Sequence, residues 1–248
     1  MTTRTAARAR AWILLGACLA ANVLYQRLNP PAWTDIGDLG TPPPAQAARV
    51  AGLGESTFTG YLVLLFLQNF NVSLGRVTPL AAMDRGAVIG WLDLATDLDS
   101  DSRYPFLLAA RHFAETGTPE QRRSMLDWIY RRFQERPNER WPWLVHAVFA
   151  ARHGLHDNAL AETYAAALRT RVTDPKAPSW VVQMEFLLRA DLGEAEDARA
   201  ILAGLIEAGQ IRSPAELKFL ESRIAAAETP LAAQYVTDST LRLPGFGR

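Results

Sequence analysis

The sequence predicts an all-α protein: an N-terminal transmembrane helix followed by a right-handed α-solenoid of about four helical hairpins plus a capping helix. Three observations carry this. Arg103-Tyr-Pro-Phe-Leu-Leu-Ala-Ala nearly recurs 37 residues later as Arg140-Trp-Pro-Trp-Leu-Val-His-Ala. Each copy runs to a glycine, Gly117 and Gly154, 12 residues after its proline, and a second apolar segment with helical spacing follows. Self-similarity at a period of about 34 to 40 residues marks stacked helical hairpins, because a single hairpin cannot bury its own apolar face. The third observation is an apolar run, Ala11 to Tyr25, broken only by Asn22.

Residues 1–28 form a cytoplasmic N-terminus and membrane anchor. Arg4, Arg8 and Arg10 precede the apolar run with no acid among them. Trp12 and Tyr25 sit near its ends as interfacial aromatics do, and Arg10 and Arg27 flank it. The arginine bias predicts a single-pass protein of the bacterial inner membrane, its N-terminus cytoplasmic and its bulk periplasmic. A cleaved signal peptide competes with this reading, since the run is short for a bilayer core of about 30 Å. So does a lipoprotein box at Leu15-Gly16-Ala17-Cys18. Residues 29–56 are rich in Pro and Gly, including Pro42-Pro43-Pro44, and read as a stiff spacer with a short helix near Ala45–Leu53.

Residues 57–228 form the helical repeat domain. Phe58 to Phe70 is apolar on all sides, too short to span a bilayer, and opens the first hairpin as a buried helix. A polar loop, 71–79, leads to its second helix at about Met83–Leu98, with Val88, Trp91, Leu92 and Ala95 on one face. The second hairpin is Tyr104–Glu115 with Pro119–Glu135; Pro105 and Pro119 suit first-turn positions, where a missing N–H costs nothing. Met125, Leu126, Ile129, Tyr130 and Phe133 stripe its later helix. The third hairpin is Trp141–Arg152 with Asn158–Arg171, and the fourth Ser179–Asp191 with Ala195–Glu207. Ser213-Pro214-Ala215-Glu216 reads as N-cap, first-turn proline and third-position Glu, starting a capping helix Pro214–Glu228. Residues 229–248 carry Pro230, Pro244, Gly245 and Gly247 and read as a loose tail.

The chemistry-bearing residues are few. Lys+Arg and Asp+Glu both number 26, so no global field draws the chain to nucleic acid. The charge is uneven: residues 103–171 hold 11 Arg and 7 acids, against 8 basic and 11 acidic residues in 172–248. Cys18 is the one cysteine, which excludes intramolecular disulfides and a cysteine-based zinc cluster. Asp97, Asp99 and Asp101 have calcium-loop spacing, but no glycine stands at the sixth position and Phe106, Leu107 and Leu108 stand where the bidentate acid belongs. His153-Gly-Leu-His156 has metal-ligand spacing only on a continuous helix, and Gly154 and Asp157-Asn158 place it in a turn. Asp93, Asp97, Glu115 and Asp127 are the acids from which a helical enzyme would draw an acid–base pair. No Gly-rich phosphate loop, nucleophile elbow or His-Glu-x-x-His is present, and the expectation is a non-enzyme with no cofactor and no metal.

These residues resemble tetratricopeptide or related helical-hairpin repeats over about 57–228. Taking Gly154 as the glycine of the turn puts Trp143 on the first-helix aromatic, Ala147 on the small residue of the helix crossing, and Ala159 and Ala166 on the second-helix small positions. Gly117 likewise aligns Phe106, Ala110 and Phe113, although Arg122 takes a position that is small in the family. The fourth hairpin keeps Gly193 and Ala198 but has two extra residues between Trp180 and Gly193. The resemblance implies that first helices line a concave partner-binding face: Tyr104, Leu107, Arg111, Trp141, Leu144, Val148 and Arg152. Arg111 and Arg152 would clamp a carboxylate and Tyr104 and Trp141 supply apolar anchors. The implied function is a membrane-tethered scaffold binding a protein or peptide; a fixed accessory subunit of an integral membrane complex is the alternative. Trp143 is expected to be the most sensitive core position.

Overall fold

A computed structural model describes residues 2–28, 39–70, 72–73, 76–77 and 79–228. The chain divides into two compact units, Met1–Asp38 and Leu39–Arg248. The first unit holds one helix, α1 (Thr2–Leu28). Its apolar section runs from Trp12 to Leu24, with Trp12, Ile13, Leu14 and Leu19 exposed. Among the described residues no single helix is long and apolar enough to cross a membrane.

The second unit is helical. It contains α2 (Ala45–Ala51), α3 (Ser56–Asn69), α4 (Arg85–Leu98), α5 (Tyr104–Leu108), α6 (Pro119–Glu135) and α7 (Pro137–Phe149). It continues with α8 (Asn158–Arg171), α9 (Ser179–Val182), α10 (Met184–Asp191), α11 (Ala195–Glu207) and α12 (Pro214–Glu228). Two-residue strands, β1 (Val72–Ser73) and β2 (Arg76–Val77), pair antiparallel inside the stretch expected as loop. The tail expected over 229–248 lies outside the described residues.

Side-chain caps place the starts of α4, α6, α8 and α12. Asp84 accepts from the Ala87 N–H at 2.8 Å and opens α4; Asp157 accepts from the Leu160 N–H at 2.9 Å and opens α8. Thr118 and Gln121 form a reciprocal capping box before Pro119. Ser213 receives the Glu216 N–H at 3.2 Å. One start differs from expectation. α7 begins at Pro137, so Pro142 lies inside the helix and gives no N–H to the Asn138 carbonyl. The repeated Trp-Pro-Trp therefore sits a turn into its helix, whereas Tyr104-Pro105 begins one. α5 and α7 both end in a π-helical turn, Ala109–Phe113 and Ala150–Gly154.

Residues 39–56 are not spacer. Leu39 and Ala48 are buried in the core, the Trp91 indole donates to the Gly40 carbonyl (3.1 Å), and Arg49 donates to the Asp97 carbonyl (2.9 Å). From Leu39 onward this stretch packs on the first hairpin. α3 is half buried rather than surrounded: Val63, Leu64 and Leu67 enter the core, while Phe58, Tyr61, Leu62, Leu65 and Phe66 are exposed.

The extensive packing joins each hairpin to itself and to the next: α3 on α4, α4 on α6, α6 on α7, α7 on α8, α8 on α10, α10 on α11 and α12. The main core includes Phe106, Phe113, Trp128, Phe133, Tyr164 and Leu168; a smaller one gathers Phe186, Ala198, Leu202, Leu205, Leu220 and Ile224. Polar bonds bridge successive hairpins at roughly one repeat length. Trp128 Nε1–H donates to Asp93 Oδ1 (2.6 Å), and one hairpin on the Tyr164 hydroxyl donates to Asp127 Oδ1 (3.0 Å). Arg136 donates to Asp101 (2.6 Å), and Asn138 Oδ1 accepts from the Thr173 and Asp174 N–H groups (2.8 and 3.0 Å).

The positions assigned from the repeat resemblance fare unevenly. Ala110, Ala147 and Ala198 are buried at crossings, but Ala159 is exposed and Ala166 half-buried; Ala161 and Ala165 fill the core instead. Gly117 has φ +95°, the left-handed region that favours glycine, whereas in the next hairpin that region is taken by His156 (φ +55°) rather than Gly154.

Candidate functional site

The starts of α5 and α7 and the chain after α8 enclose two contiguous clefts of about 690 and 620 Å³ that share Asp101, Ser102, Arg103, Glu139, Pro142 and Trp143. The larger is walled by Tyr61 of α3, Tyr104 and Leu107 of α5, and Pro142 and Trp143 of α7. The smaller continues past Phe106, Trp141 and Arg140 to Asp174 and Lys176. Together they make one groove crossing three hairpins, apolar at its α3 end and charged at its α8 end.

Hydrogen bonds fix its walls. The Tyr104 hydroxyl donates to Gln68 Oε1 (2.5 Å), standing the phenol upright between α5 and α3. Trp143 stacks on Phe106 at 6.2 Å and Trp141 meets Trp180 edge-on at 5.9 Å, and both indoles are half-buried in the groove wall. Arg140 is buried, its guanidinium 4.9 Å over Phe106 and donating to the Arg132 carbonyl (2.6 Å) and Glu135 (2.7 Å). Arg136, bonded to Asp101 and Glu139, holds the Asp101 carboxyl below its ordinary range, hydrogen bonding being the first cause and charge the second. Arg103 and Lys176 form no ion pair among the described residues and leave the groove two free cations.

Of the seven residues expected on a concave face, the structure brings Tyr104, Leu107 and Trp141 into this groove. Arg111 is exposed and paired with Glu115 at 3.6 Å. The other three need correction. Leu144 and Val148 are core residues, at 0% and 2% exposure. Arg152 is turned inward against the buried Asp191 (3.3 Å), which also binds Arg223. Leu144 and Val148, four residues apart, share the face that α7 buries against α6 and α8, and Arg152 lies in the π turn that follows. Tyr61, Arg103, Trp143 and Lys176 line the groove without having been picked out for it in the sequence. Trp143 was the expected wedge at the hairpin junction, yet it is half-exposed, and Trp128 takes the fully buried place. The doubled indole of Trp-Pro-Trp was the available signal, since two bulky faces around an intrahelical proline cannot both point inward.

The four acids set aside for acid–base work are otherwise engaged. Asp93 binds Trp128 and Arg132, Asp97 binds Arg132, Asp127 binds Tyr164, and Glu115 binds Arg111. No group of three or more His, Cys, Asp or Glu side chains is placed to hold a metal ion among the described residues. His146, stacked at 6.0 Å on Trp143, has its pKa lowered, first by desolvation and then by Arg111. His153 is lowered by desolvation and by Arg152. The arrangement offers apolar contact, aromatic faces and a few cations to a ligand. Comparison of the chain with protein-family models, curated proteins and solved structures returns no match.

Proposed function

We propose that the protein is a membrane-anchored, periplasm-facing scaffold of the tetratricopeptide-like type that binds a protein or peptide segment without catalysing a reaction. The observation that carries this is the continuity of the groove over successive hairpins, from Tyr61 through Leu107 and Trp143 to Lys176. A surface built at the same end of consecutive repeats suits an extended ligand, with aromatic anchors for affinity and free cations for acidic side chains. The solenoid reading is supported by packing between neighbouring hairpins and by the bonds Trp128–Asp93 and Tyr164–Asp127. The anchor reading draws on the exposed apolar section of α1 and the arginines before it.

The test is photocrosslinking in intact bacterial membranes, with a photoreactive side chain at Leu107 or Trp141 and a control at the exposed Glu196. A discrete adduct to one polypeptide from the groove positions alone is expected. The same adducts from Glu196 would remove the groove from the argument. An adduct from the groove whose partner stays bound stoichiometrically through high-salt washing would favour the fixed-subunit role. Activity of a cytoplasm-only reporter fused after Arg248 would overturn the topology.

A further inference from the structure

We propose that the outward face of α3, with Leu53 just before it, is seated in the lipid surface of the membrane to which α1 anchors the chain. This rests on the anchor reading above. α3 carries no charged residue, and from Ala45 to Phe70 the chain has only Arg49 and Glu55. Phe58, Leu62, Leu65 and Phe66 lie three and four residues apart, one stripe of the helix, at 62, 49, 50 and 45% exposure. The opposite stripe is already spent in the core through Val63, Leu64 and Leu67. A stripe of four large hydrophobes on an uncharged helix is a patch that water-facing helices avoid.

Leu53 is a second, independent sign. It lies between Gly52 and Gly54 with φ +53° and is 93% exposed. A leucine in the left-handed region is strained, and a side chain so exposed gains little packing in return. A turn that holds a large apolar side chain clear of the fold suits insertion into an apolar phase.

Charge and chain length choose the occupant. Arg49 is turned onto the Asp97 carbonyl, which leaves the exposed Glu55 as the one charge beside the face and little charge complementarity for a protein partner, whereas phenyl and leucine groups suit the boundary between headgroups and acyl chains. Only ten residues, 29–38, separate Leu28 at the end of α1 from Leu39. Their full reach is at most about 40 Å. A tether of that length lets α3 reach the surface of a bilayer that holds α1.

The experiment uses the full chain reconstituted in vesicles of phosphatidylcholine and phosphatidylglycerol with brominated acyl chains. An environment-sensitive fluorophore is placed at native Cys18, or in a Cys18→Ser background at Leu62→Cys, Leu65→Cys or Glu196→Cys. We expect quenching by bromolipid at position 18, and quenching at 62 and 65 roughly threefold or more above that at 196, as for groups seated 5–10 Å into the interface. Quenching at 18 with 62 and 65 no stronger than 196 would overturn the inference and leave the anchor standing. No quenching at 18 would remove the anchor reading and this inference with it. Labels at 62 and 65 that are shielded from a water-soluble quencher yet untouched by bromolipid would assign the face to a second protein chain, and overturn it too.

Discussion

Asp93→Ala should be among the most damaging changes available at a half-buried position of the helical unit Leu39–Arg248. Asp93 accepts the Trp128 indole N–H at 2.6 Å and the Arg132 guanidinium at 2.7 and 2.9 Å. Trp128 is fully buried, so removing the carboxylate leaves its indole N–H without a protein acceptor, at about 1–3 kcal/mol. Arg132 keeps Asp97 and Glu135, and the Asp93 side chain is 33% exposed, so the lost ion pair adds only about 0.5–1 kcal/mol. The total is about 1.5–4 kcal/mol. Trp128→Phe removes the donor itself and leaves a void, at about 1–2 kcal/mol. In the double variant no N–H is stranded, so the two losses should fall short of additivity by about 1–2 kcal/mol. Urea unfolding of residues 39–248 followed by far-ultraviolet circular dichroism measures all four corners of the cycle. Additivity within about 0.5 kcal/mol would mean that the bond is not a structural link between α4 and α6.

Three further outcomes follow from burial and charge. By the same assay Trp128→Ala should cost about 3–5 kcal/mol and the half-exposed Trp143→Ala about 1–2 kcal/mol, and the reverse order would refute the packing described. Arg152→Glu, which faces the buried Asp191, should cost about 3–5 kcal/mol, whereas Arg111→Glu, on the surface beside Glu115, should cost about 0.5 kcal/mol or less. His146 has its pKa depressed on folding, so the unfolded chain binds the proton more readily: stability should fall as pH drops below about 6.5, and His146→Gln should flatten that decline in thermal melts between about pH 7 and 5. An unchanged slope would show that the imidazole is freely solvated.

Helix starts set by short-range chemistry were legible from the residues alone. Pro119 after Thr118, Asn158 after Asp157 and Pro214 after Ser213 begin α6, α8 and α12 as their caps dictate. The start of α7 was not, because Pro137 and Pro142 both suit a first turn and local rules do not choose between them. The choice goes to Pro137, in a helix whose Arg140 is buried against Phe106 and the α6 carboxyl end. Trp128 escaped the periodic stripe of α6 because its burial depends on Asp93, 35 residues away. The groove suffered similarly: Tyr104, Leu107 and Trp141 were found, while Leu144, Val148 and Arg152 were misplaced once a uniform hairpin geometry was assumed. One clue was on the page. Ala-Ala-Arg-His occurs at 109–112 and again at 150–153, where the two π turns fall. That spacing of 41 differs from the 37 of the Pro-aromatic motif, so the two halves of each first helix follow different registers.

The smaller core has its own kinetic meaning. α11 and α12 bury Ala198, Leu202, Leu205, Leu220 and Ile224 around Phe186 and Ala190 of α10, and polar bonds at the rim, Arg189 to Glu194 and Gln183 to Glu216 among them, add to this. Asp191, at the end of α10, takes Arg152 from the preceding hairpin and Arg223 from α12, so one carboxylate rivets both sides of that boundary. Opening this end exposes only the smaller core and leaves the larger one closed, so it demands less than global unfolding. Backbone amides of α11 and α12 should therefore exchange with solvent deuterium well before those of α6 and α8. Neutralising Asp191 should widen that gap while leaving the protection of α6 and α8 where it was.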